Sequence, residues 1–292
     1  MKPAHAAARR HPHVASRQRW FLSRWLLVGT AVGVVALVAV LVLLGLRTGG
    51  TTAPPVTADS AAQAVVQAAT QPDAAALAAV GTTGASNPFR RTSGAQPWLD
   101  SNGHPVVFYT GADFCPFCAA RRWSMVVALS RFGTFENLAL VTSSSTDVYP
   151  NTNTFSFHGS SYHSEYLEFL PVETSTSDNQ PLDTPTSGEM NVLATYDAPP
   201  YSTTVDAIPF LDVANQWISV SGGYSPALIS GMSWQQVAAV MRDPTNAVGR
   251  AIMADANIIT AAVCTVTGEQ PASVCGTPQM TQIVTSLQNG RK

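Results

Sequence analysis

The hydrophobic and polar positions divide the chain into one long apolar run near its start and a mixed region after it. Residues 25–46 contain no charged side chain and are bounded by Arg24 and Arg47. At about 1.5 Å per helical residue they span about 33 Å, which matches the hydrocarbon core of a bilayer. A cleaved signal peptide has an apolar region of only about 7–15 residues, followed directly by a small-residue cleavage site. The pattern therefore favours an uncleaved transmembrane helix over residues 25–46.

Positive charge is distributed unequally around this run. The basic residues upstream of it are Lys2, Arg9, Arg10, Arg17, Arg19 and Arg24, whereas only Arg47 follows closely. By the positive-inside rule, the N-terminus lies in the cytoplasm and the rest of the chain outside. We therefore expect a single-pass protein of the cell membrane, with a cytoplasmic basic tail at residues 1–24. Residues 47–102 are predicted to be a linker with short helices, and the C-terminal domain is predicted to be extracytoplasmic.

The pattern beyond the linker is typical of a mixed α/β domain over residues 103–292. Strands are predicted at residues 105–110, 137–142, 165–174, 210–213 and 217–220, the last two as a hairpin. Helices are predicted on both sides of Pro72, at residues 117–132, and from Ser233, Asp243 and Thr277 onward as C-terminal helices within 225–290. Residues 142–164 are predicted to be a loop, and residues 175–205 an insertion with little regular structure.

Composition and charge exclude several classes of protein. Hydrophobic residues make up 46% of the chain and charged residues 12%, so a packed core is expected and a disordered chain is excluded. The net charge of −2 hides an acidic body, because all acidic residues lie after residue 47. An acidic body argues against nucleic acid as a partner.

Four cysteines carry the clearest chemical signal, and all lie in the predicted exported part: Cys115, Cys118, Cys264 and Cys275. Cys115-Pro116-Phe117-Cys118 follows a hydrophobic strand and opens a helix, with Cys115 at the N-cap and Pro116 at N1. The positive end of the helix stabilises a thiolate at Cys115, while Cys118 lies one turn further, shielded from solvent. The pattern predicts an exposed nucleophile and a resolving thiol, as thiol–disulfide exchange requires. A structural disulfide and a metal site are the alternatives.

The Cys115–Cys118 motif resembles the C-P-Y-C of glutaredoxins and the C-P-H-C of periplasmic disulfide oxidases, both of the thioredoxin superfamily. Ile208-Pro209, directly before a strand, is similar to the superfamily's cis-proline, which stands beside the dithiol. The resemblance covers about residues 105–252. The exported sequence also resembles an uncharacterised family of membrane-anchored, thioredoxin-like proteins of actinobacteria and archaea.

This resemblance implies a thioredoxin-like fold with a helical C-terminal extension. It implies that Cys115 attacks, that Cys118 resolves and that Pro209 lies at the catalytic site. We expect client contacts at Ile208, Phe114 and Phe117. The chain departs from the best-known members in having Phe114 where they have Trp, and in having no His within the motif.

The remaining candidates carry weaker expectations. Cys264 and Cys275 are expected to form a structural disulfide that staples the loop between the last two helices, the alternative being a second redox pair. His158 and His163 are weak metal candidates. Asp113 is expected to be a turn residue, although it could exchange protons with the dithiol. Arg121 and Arg122 are expected on a solvated helix face.

The function expected from these features is that of a membrane-anchored extracytoplasmic thiol–disulfide oxidoreductase without cofactor or metal. Its partners would be exported protein thiols or disulfides and an unidentified redox partner. A redox-inactive binding module at the cell surface is one alternative. A dedicated metallochaperone or haem-pathway thiol reductase is the other.

Overall fold

A five-stranded sheet forms the centre of the part of the chain that the computed structural model describes, residues 58–290. The strands are β1 (Arg90–Arg91), β2 (Val106–Gly111), β3 (Gly133–Glu136), β4 (Ala139–Thr142), β5 (Asn153–Ser156), β6 (Ser161–Ser164), β7 (Glu168–Glu173), β8 (Phe210–Val213) and β9 (Trp217–Ser219). The sheet has the order β1-β9-β8-β2-β7, in which β2 and β7 are parallel and the other pairs antiparallel. The predicted basic tail, the predicted transmembrane helix and the start of the linker fall in residues 1–57 and lie outside the described residues.

Helices cover both faces of this sheet. They are α1 (Ala58–Thr70), α2 (Ala74–Val80), α3 (Pro116–Leu129), α4 (Ser187–Tyr196), α5 (Trp234–Val240), α6 (Ala247–Val266), α7 (Ala272–Cys275) and α8 (Pro278–Asn289). One face packs with α3 and α6 in the larger apolar cluster, and the other packs with α4 in a smaller one. Because both faces are covered, all six residues of β2 are buried, as expected for a central strand.

Helix α6 is the one helix among residues 58–290 that is long and apolar enough to cross a membrane by length and composition. The most apolar 18-residue segment of this helix is 83% buried inside the domain. It packs against both α3 and α8. Its apolar character is therefore explained by its position in the core.

Several local predictions are confirmed. Two helices flank Pro72. Asp73 caps the second helix, because its carboxylate accepts hydrogen bonds from the Ala75 and Ala76 amides. Ser233 and Gln236 form the predicted reciprocal capping box at the start of α5. Thr277 caps α8, with Pro278 at its first position, and β8 and β9 form the predicted hairpin.

Three predictions are corrected by the structure. Asp243-Pro244 does not start a helix, because the Asp243 carboxylate instead closes a turn by accepting hydrogen bonds from the Thr245 amide and hydroxyl. Helix α6 begins after Asn246, which caps it. Residues 142–164 contain β5 and β6, which pair with β4 and β3 in two separate two-stranded ribbons. The predicted unstructured insertion, residues 175–205, contains α4, which starts with a capping box at Thr186 and Glu189.

A disulfide joins Cys264 at the end of α6 to Cys275 at the end of α7. Both residues are buried, at 0% and 3% exposure. The disulfide therefore closes the connection that leads from α6 towards α8. This position fits a structural staple, and the bond is shielded from a redox partner.

Asp212 in β8 is a buried carboxylate whose burial raises its pKa to about 7. One carboxylate oxygen accepts from the Asn215 amide, and the other has no hydrogen-bond partner. The folded state therefore holds a proton that the unfolded chain releases near pH 4. Stability contributed by the neutral form is complete below pH 4 and is lost as the pH rises to about 7.

We expect Asp212→Asn to increase the free energy of unfolding more at pH 7 than at pH 4. The difference between its effects at the two pH values should be roughly 2–4 kcal/mol. The Asn215 hydrogen bond can be kept by the new amide oxygen. Denaturant unfolding at both pH values measures the difference, with Asp59→Asn on the surface of α1 as the control. An equal effect of Asp212→Asn at both pH values would contradict the assignment.

Candidate functional site

The dithiol lies where β2 ends and α3 begins. Cys115 has an extended backbone (φ −80°, ψ 118°) and caps the helix, with Pro116 following it at the first helical position. The Cys118 amide donates to the Cys115 Sγ at 3.2 Å. The predicted strand–turn–helix context of the motif is therefore present, and both cysteines are free thiols.

The two thiols are more enclosed than the sequence predicts. Cys118 is 0% exposed, as expected, but Cys115 is only 5% exposed, so the expectation of an exposed nucleophile is wrong. Neighbouring loops are tied to the residues just before Cys115, since the Phe114 carbonyl accepts from the Ser144 amide and the Asp113 amide donates to the Ser175 carbonyl. Little of the Cys115 surface is therefore open to a reacting group.

The pKa values of the two thiols move in opposite directions. A hydrogen bond from the Cys118 thiol lowers the pKa of Cys115, and the Cys118 amide and the charge of Arg122 add to this. Burial raises the pKa of Cys118 well above its usual value, and the hydrogen bond to Cys115 adds to this. The arrangement therefore favours a Cys115 thiolate beside a protonated Cys118.

Arg122 is fully buried behind the dithiol and pairs with Glu173 at the end of β7. Its Nε donates to Glu173 Oε1 at 2.7 Å and its Nη2 to Oε2 at 2.5 Å. Asp113 Oδ1 lies 3.4 Å from the same Nη2, so Asp113 is a buried neighbour of the arginine. Burial raises the pKa of Glu173 although Arg122 opposes this. A bidentate buried pair of this kind needs both partners, because either charge left without the other is costly.

Arg121 is also fully buried, and it points to a different part of the domain. Its Nη1 donates to Asp255 Oδ1 in α6 at 2.7 Å, and its guanidinium lies 5.4 Å from the Phe89 ring centre. The same Asp255 oxygen accepts from the Gly223 amide. The prediction of a solvated face for Arg121 and Arg122 is therefore wrong, because every residue of α3 except Phe117 is buried.

Tyr109 in β2 completes the buried cluster. Its hydroxyl has no hydrogen-bond partner among the described residues, and burial raises its pKa well above the usual value. The ring lies along the strand over Gly111, where any Cβ would collide with the tyrosine hydroxyl. Glycine at this position therefore lets the phenol lie close enough to interact electrostatically with Arg122 and Cys118.

The strand register brings Pro209 to the C-terminal end of β2, the end from which the chain leads to the dithiol. Phe210, the first residue of β8, is opposite Thr110 near the end of β2, and Cys115 follows that end. The Ile208–Pro209 peptide bond is cis, which is the form that the family resemblance implies. Pro209 is buried and Ile208 is half-buried.

The two phenylalanines beside the dithiol differ in exposure. Phe117 is 43% exposed and contacts the Tyr149 ring at 6.0 Å between centres. Phe114 is half-buried and lines a shallow depression next to Cys115. Both therefore present apolar surface within two residues of Cys115.

The two histidines lie beside different surface carboxylates. His158 contacts Asp183 at 2.7 Å, and His163 lies 3.9 Å from Glu136. Within residues 58–290, no group of three or more His, Cys, Asp or Glu side chains is arranged to hold a metal ion. The structure therefore does not bring these histidines together.

Glu173 and Tyr109 are site residues that the sequence analysis missed. The available signal was a charged residue closing an apolar strand, Glu168-Phe-Leu-Pro-Val-Glu173, and a pair of arginines inside the otherwise apolar start of α3. Buried charges require partners, so two arginines in an enclosed helix imply acids elsewhere in the core. The sequence did not indicate which acids these are.

Comparison with known proteins gives one match. The family model described as "Domain of unknown function (DUF929)" matches residues 95–265. This range contains the dithiol, Arg122, Glu173, Pro209 and Asp255. No curated protein matches the chain, and no solved structure matches it either.

We expect Cys118→Ala to raise the pKa of Cys115, because it removes the hydrogen bond that lowers this pKa most. A hydrogen bond to a charged group contributes about 1.5–3 kcal/mol, so the thiolate fraction at a pH below the pKa of Cys115 should fall roughly ten- to hundredfold. Ultraviolet absorbance of the thiolate against pH measures this on the reduced protein.

Cys118→Ser is the matched control, because its hydroxyl keeps a donor at the same position. It should leave the pKa of Cys115 well below that in Cys118→Ala. Equal titration of the two variants would contradict the role given to the Cys118 thiol.

Proposed function

We propose that this chain, which belongs to the family described as Domain of unknown function (DUF929), is a thiol–disulfide oxidoreductase. The observation that carries the proposal is the adjacent pair of cysteines at the start of α3, where the Cys118 amide donates to the Cys115 Sγ and the pKa of Cys115 is lowered while that of Cys118 is raised. Thiol–disulfide exchange requires this difference in protonation, because a thiolate attacks the client and a second, protonated thiol later resolves the mixed disulfide.

The sheet supports a thioredoxin-like fold for this domain. Strand β2 carries the dithiol, pairs in parallel with β7 and antiparallel with β8, and β8 continues into the hairpin with β9. Helix α3 follows β2, α4 lies between β7 and β8, and α6 follows the hairpin. The cis bond before Pro209 stands at the start of β8. This order agrees with the fold that the Cys115–Cys118 motif implies.

The reaction begins from the reduced dithiol. The Cys115 thiolate attacks one sulfur of a client disulfide, forms a mixed disulfide and releases the other client sulfur as a thiolate, which takes up a proton. Cys118 then loses its proton and attacks the Cys115 sulfur, releasing the second client thiol and closing the Cys115–Cys118 disulfide. Two electrons pass from the dithiol to the client, and the same steps in reverse oxidise a client dithiol.

Arg122 assists both steps electrostatically. Its charge lowers the pKa of Cys115 and opposes the effect of burial on the pKa of Cys118. In a site shielded from bulk solvent this interaction is stronger than in open solution. Glu173 holds the guanidinium in place by two hydrogen bonds, so Arg122 is a positioning residue supported by Glu173.

One observation favours a second candidate, a binding module that keeps the fold without redox activity. Cys115 is only 5% exposed, which limits access to its sulfur. The trapping experiment separates the two functions, because a mixed disulfide forms only if a client sulfur reaches Cys115.

We expect Cys118→Ala to accumulate mixed disulfides with exported proteins, because the resolving thiol held one helical turn away is missing. The experiment uses full-length protein in cells, non-reducing electrophoresis and reversal by dithiothreitol. Cys115→Ala and the double variant Cys115→Ala/Cys118→Ala are the controls and should trap nothing. If Cys118→Ala also traps nothing, and purified protein neither reduces nor oxidises a model disulfide, the binding module replaces the enzyme.

We also propose that residues 25–46 anchor the protein in the cell membrane with the domain outside. The support is the charge-free apolar run and the excess of Lys and Arg before it, together with the disulfide between Cys264 and Cys275. Disulfides of this kind persist in oxidising compartments.

A topology test uses single new cysteines in the Cys115→Ala/Cys118→Ala background, because the native dithiol is buried. Val205 is 64% exposed, so Val205→Cys should react with a membrane-impermeant maleimide in intact cells. Ser16→Cys, before the apolar run, should react only after lysis. The reverse pattern, or labelling of both in intact cells, would refute the proposed orientation.

A further inference from the structure

A shallow depression adjoins the dithiol on one side. It is lined by Phe114, Ser144, Thr146, Asp147, Val148 and Asn179. Phe114 directly precedes Cys115 in the chain, so the depression begins one residue from the reactive sulfur. Val148 is 69% exposed, which is unusual for an aliphatic side chain beside a candidate catalytic site.

Hydrogen bonds hold the loop that forms this depression in one conformation. The Ser144 amide donates to the Phe114 carbonyl at 2.9 Å. The Ser143 and Asn151 amides donate to carbonyls on the opposite side of the loop, at Thr152 and Ser144. The surface is therefore preformed, which reduces the entropy cost of binding a chain there.

The sheet register places this depression and Pro209 on opposite sides of the dithiol. Strand β2, which leads to Cys115, lies between β7 and β8. Pro209 precedes β8, whereas Asn179 follows β7 in a turn tied to β4 by a hydrogen bond from Ser177 to Thr142. A client chain that crosses Cys115 from the Pro209 side therefore continues into the depression.

The charge of the depression is negative. Asp147 lines it, and the exposed Asp178 adjoins Asn179 in the same turn. Neither carboxylate is in an ion pair within residues 58–290, and the lining contains no Lys or Arg. Asp147 Oδ1 accepts a hydrogen bond from the Val148 amide, so a ligand that brings a positive charge would meet two carboxylates that have no cationic partner among the described residues.

The basic residues nearest in sequence or in the sheet lie elsewhere. Arg121 and Arg122 are buried in ion pairs, and Arg131 follows the far end of α3. Arg90 and Arg91 are on β1, at the edge of the sheet opposite β7. These arginines leave the negative charge of the depression uncompensated.

We infer that this depression selects the client. It binds the segment of an exported protein that flanks the reacting cysteine, and it favours an aliphatic residue together with Lys or Arg in that segment. The aliphatic side chain packs on Phe114 and Val148, and the cation pairs with Asp147 and Asp178. The inference rests on the proposed function, since it names the substrate class of the same dithiol.

The test measures single-turnover reduction of three synthetic cyclic disulfide peptides by the reduced full-length protein. The peptides are identical except that one reacting cysteine is flanked by Leu and Lys, by Leu and Glu, or by Ser and Lys. The rate of reduction of hydroxyethyl disulfide, which has neither charge nor side chains, is measured with each protein preparation. Each peptide rate is then divided by the hydroxyethyl disulfide rate of the same preparation.

We expect the Leu–Lys peptide to react roughly fivefold faster than the Leu–Glu peptide at low salt, the range that one or two exposed ion pairs supply. High salt should reduce this ratio, and so should Asp147→Asn/Asp178→Asn. Val148→Ser should reduce the preference for Leu over Ser. Glu165→Gln, an exposed acid before the opposite end of β7, is the matched control and should retain the wild-type ratios.

The two possible failures are distinguishable. If the protein reduces hydroxyethyl disulfide but treats all three peptides alike, or if Asp147→Asn/Asp178→Asn keeps the full charge preference, the client-selecting depression is refuted and the enzyme remains. If neither hydroxyethyl disulfide nor any peptide is reduced, the proposed function fails, and the inference fails with it.

Discussion

Two consecutive arginines inside an enclosed helix are the constraint on which the arrangement of this domain depends. Charges removed from water are tolerated only with well-placed partners. Successive helical residues point about 100° apart, so Arg121 and Arg122 need acids on different elements. Asp255 in α6 and Glu173 in β7 supply them. Helix α3 is thereby held between the sheet and α6, which fixes where its N-terminal dithiol lies.

The same enclosure has opposite effects on the chemistry of the dithiol. Excluding water strengthens the influence of Arg122 on both sulfurs, and burial keeps the Cys118 thiol protonated. It also leaves Cys115 only 5% exposed, at the end of the sheet where Pro209 precedes β8. In the proposed exchange reaction, access and reactivity are therefore set by the same surrounding elements.

Much of the local structure was predictable because its causes lie within a few residues. The strand before Cys115, the helix start at Pro116 and the capping box at Ser233 depend on neighbours in sequence. The buried acids were not predictable in this way. Arg122 and Glu173 are 51 positions apart, and Arg121 and Asp255 are 134 apart. The ribbons β3–β6 and β4–β5 were missed because residues 142–164 are polar and their strands form only as pairs.

By itself, the sequence determined the chemical groups of this protein and their local geometry: a dithiol at a helix N-terminus, a second cysteine pair and a proline before a strand. Only the tertiary structure decided how far these groups are removed from water. Desolvation depends on what covers a residue, and here the covering segments come from distant parts of the chain. That is why the predicted solvated arginines are fully buried, and why the predicted exposed thiol is almost enclosed.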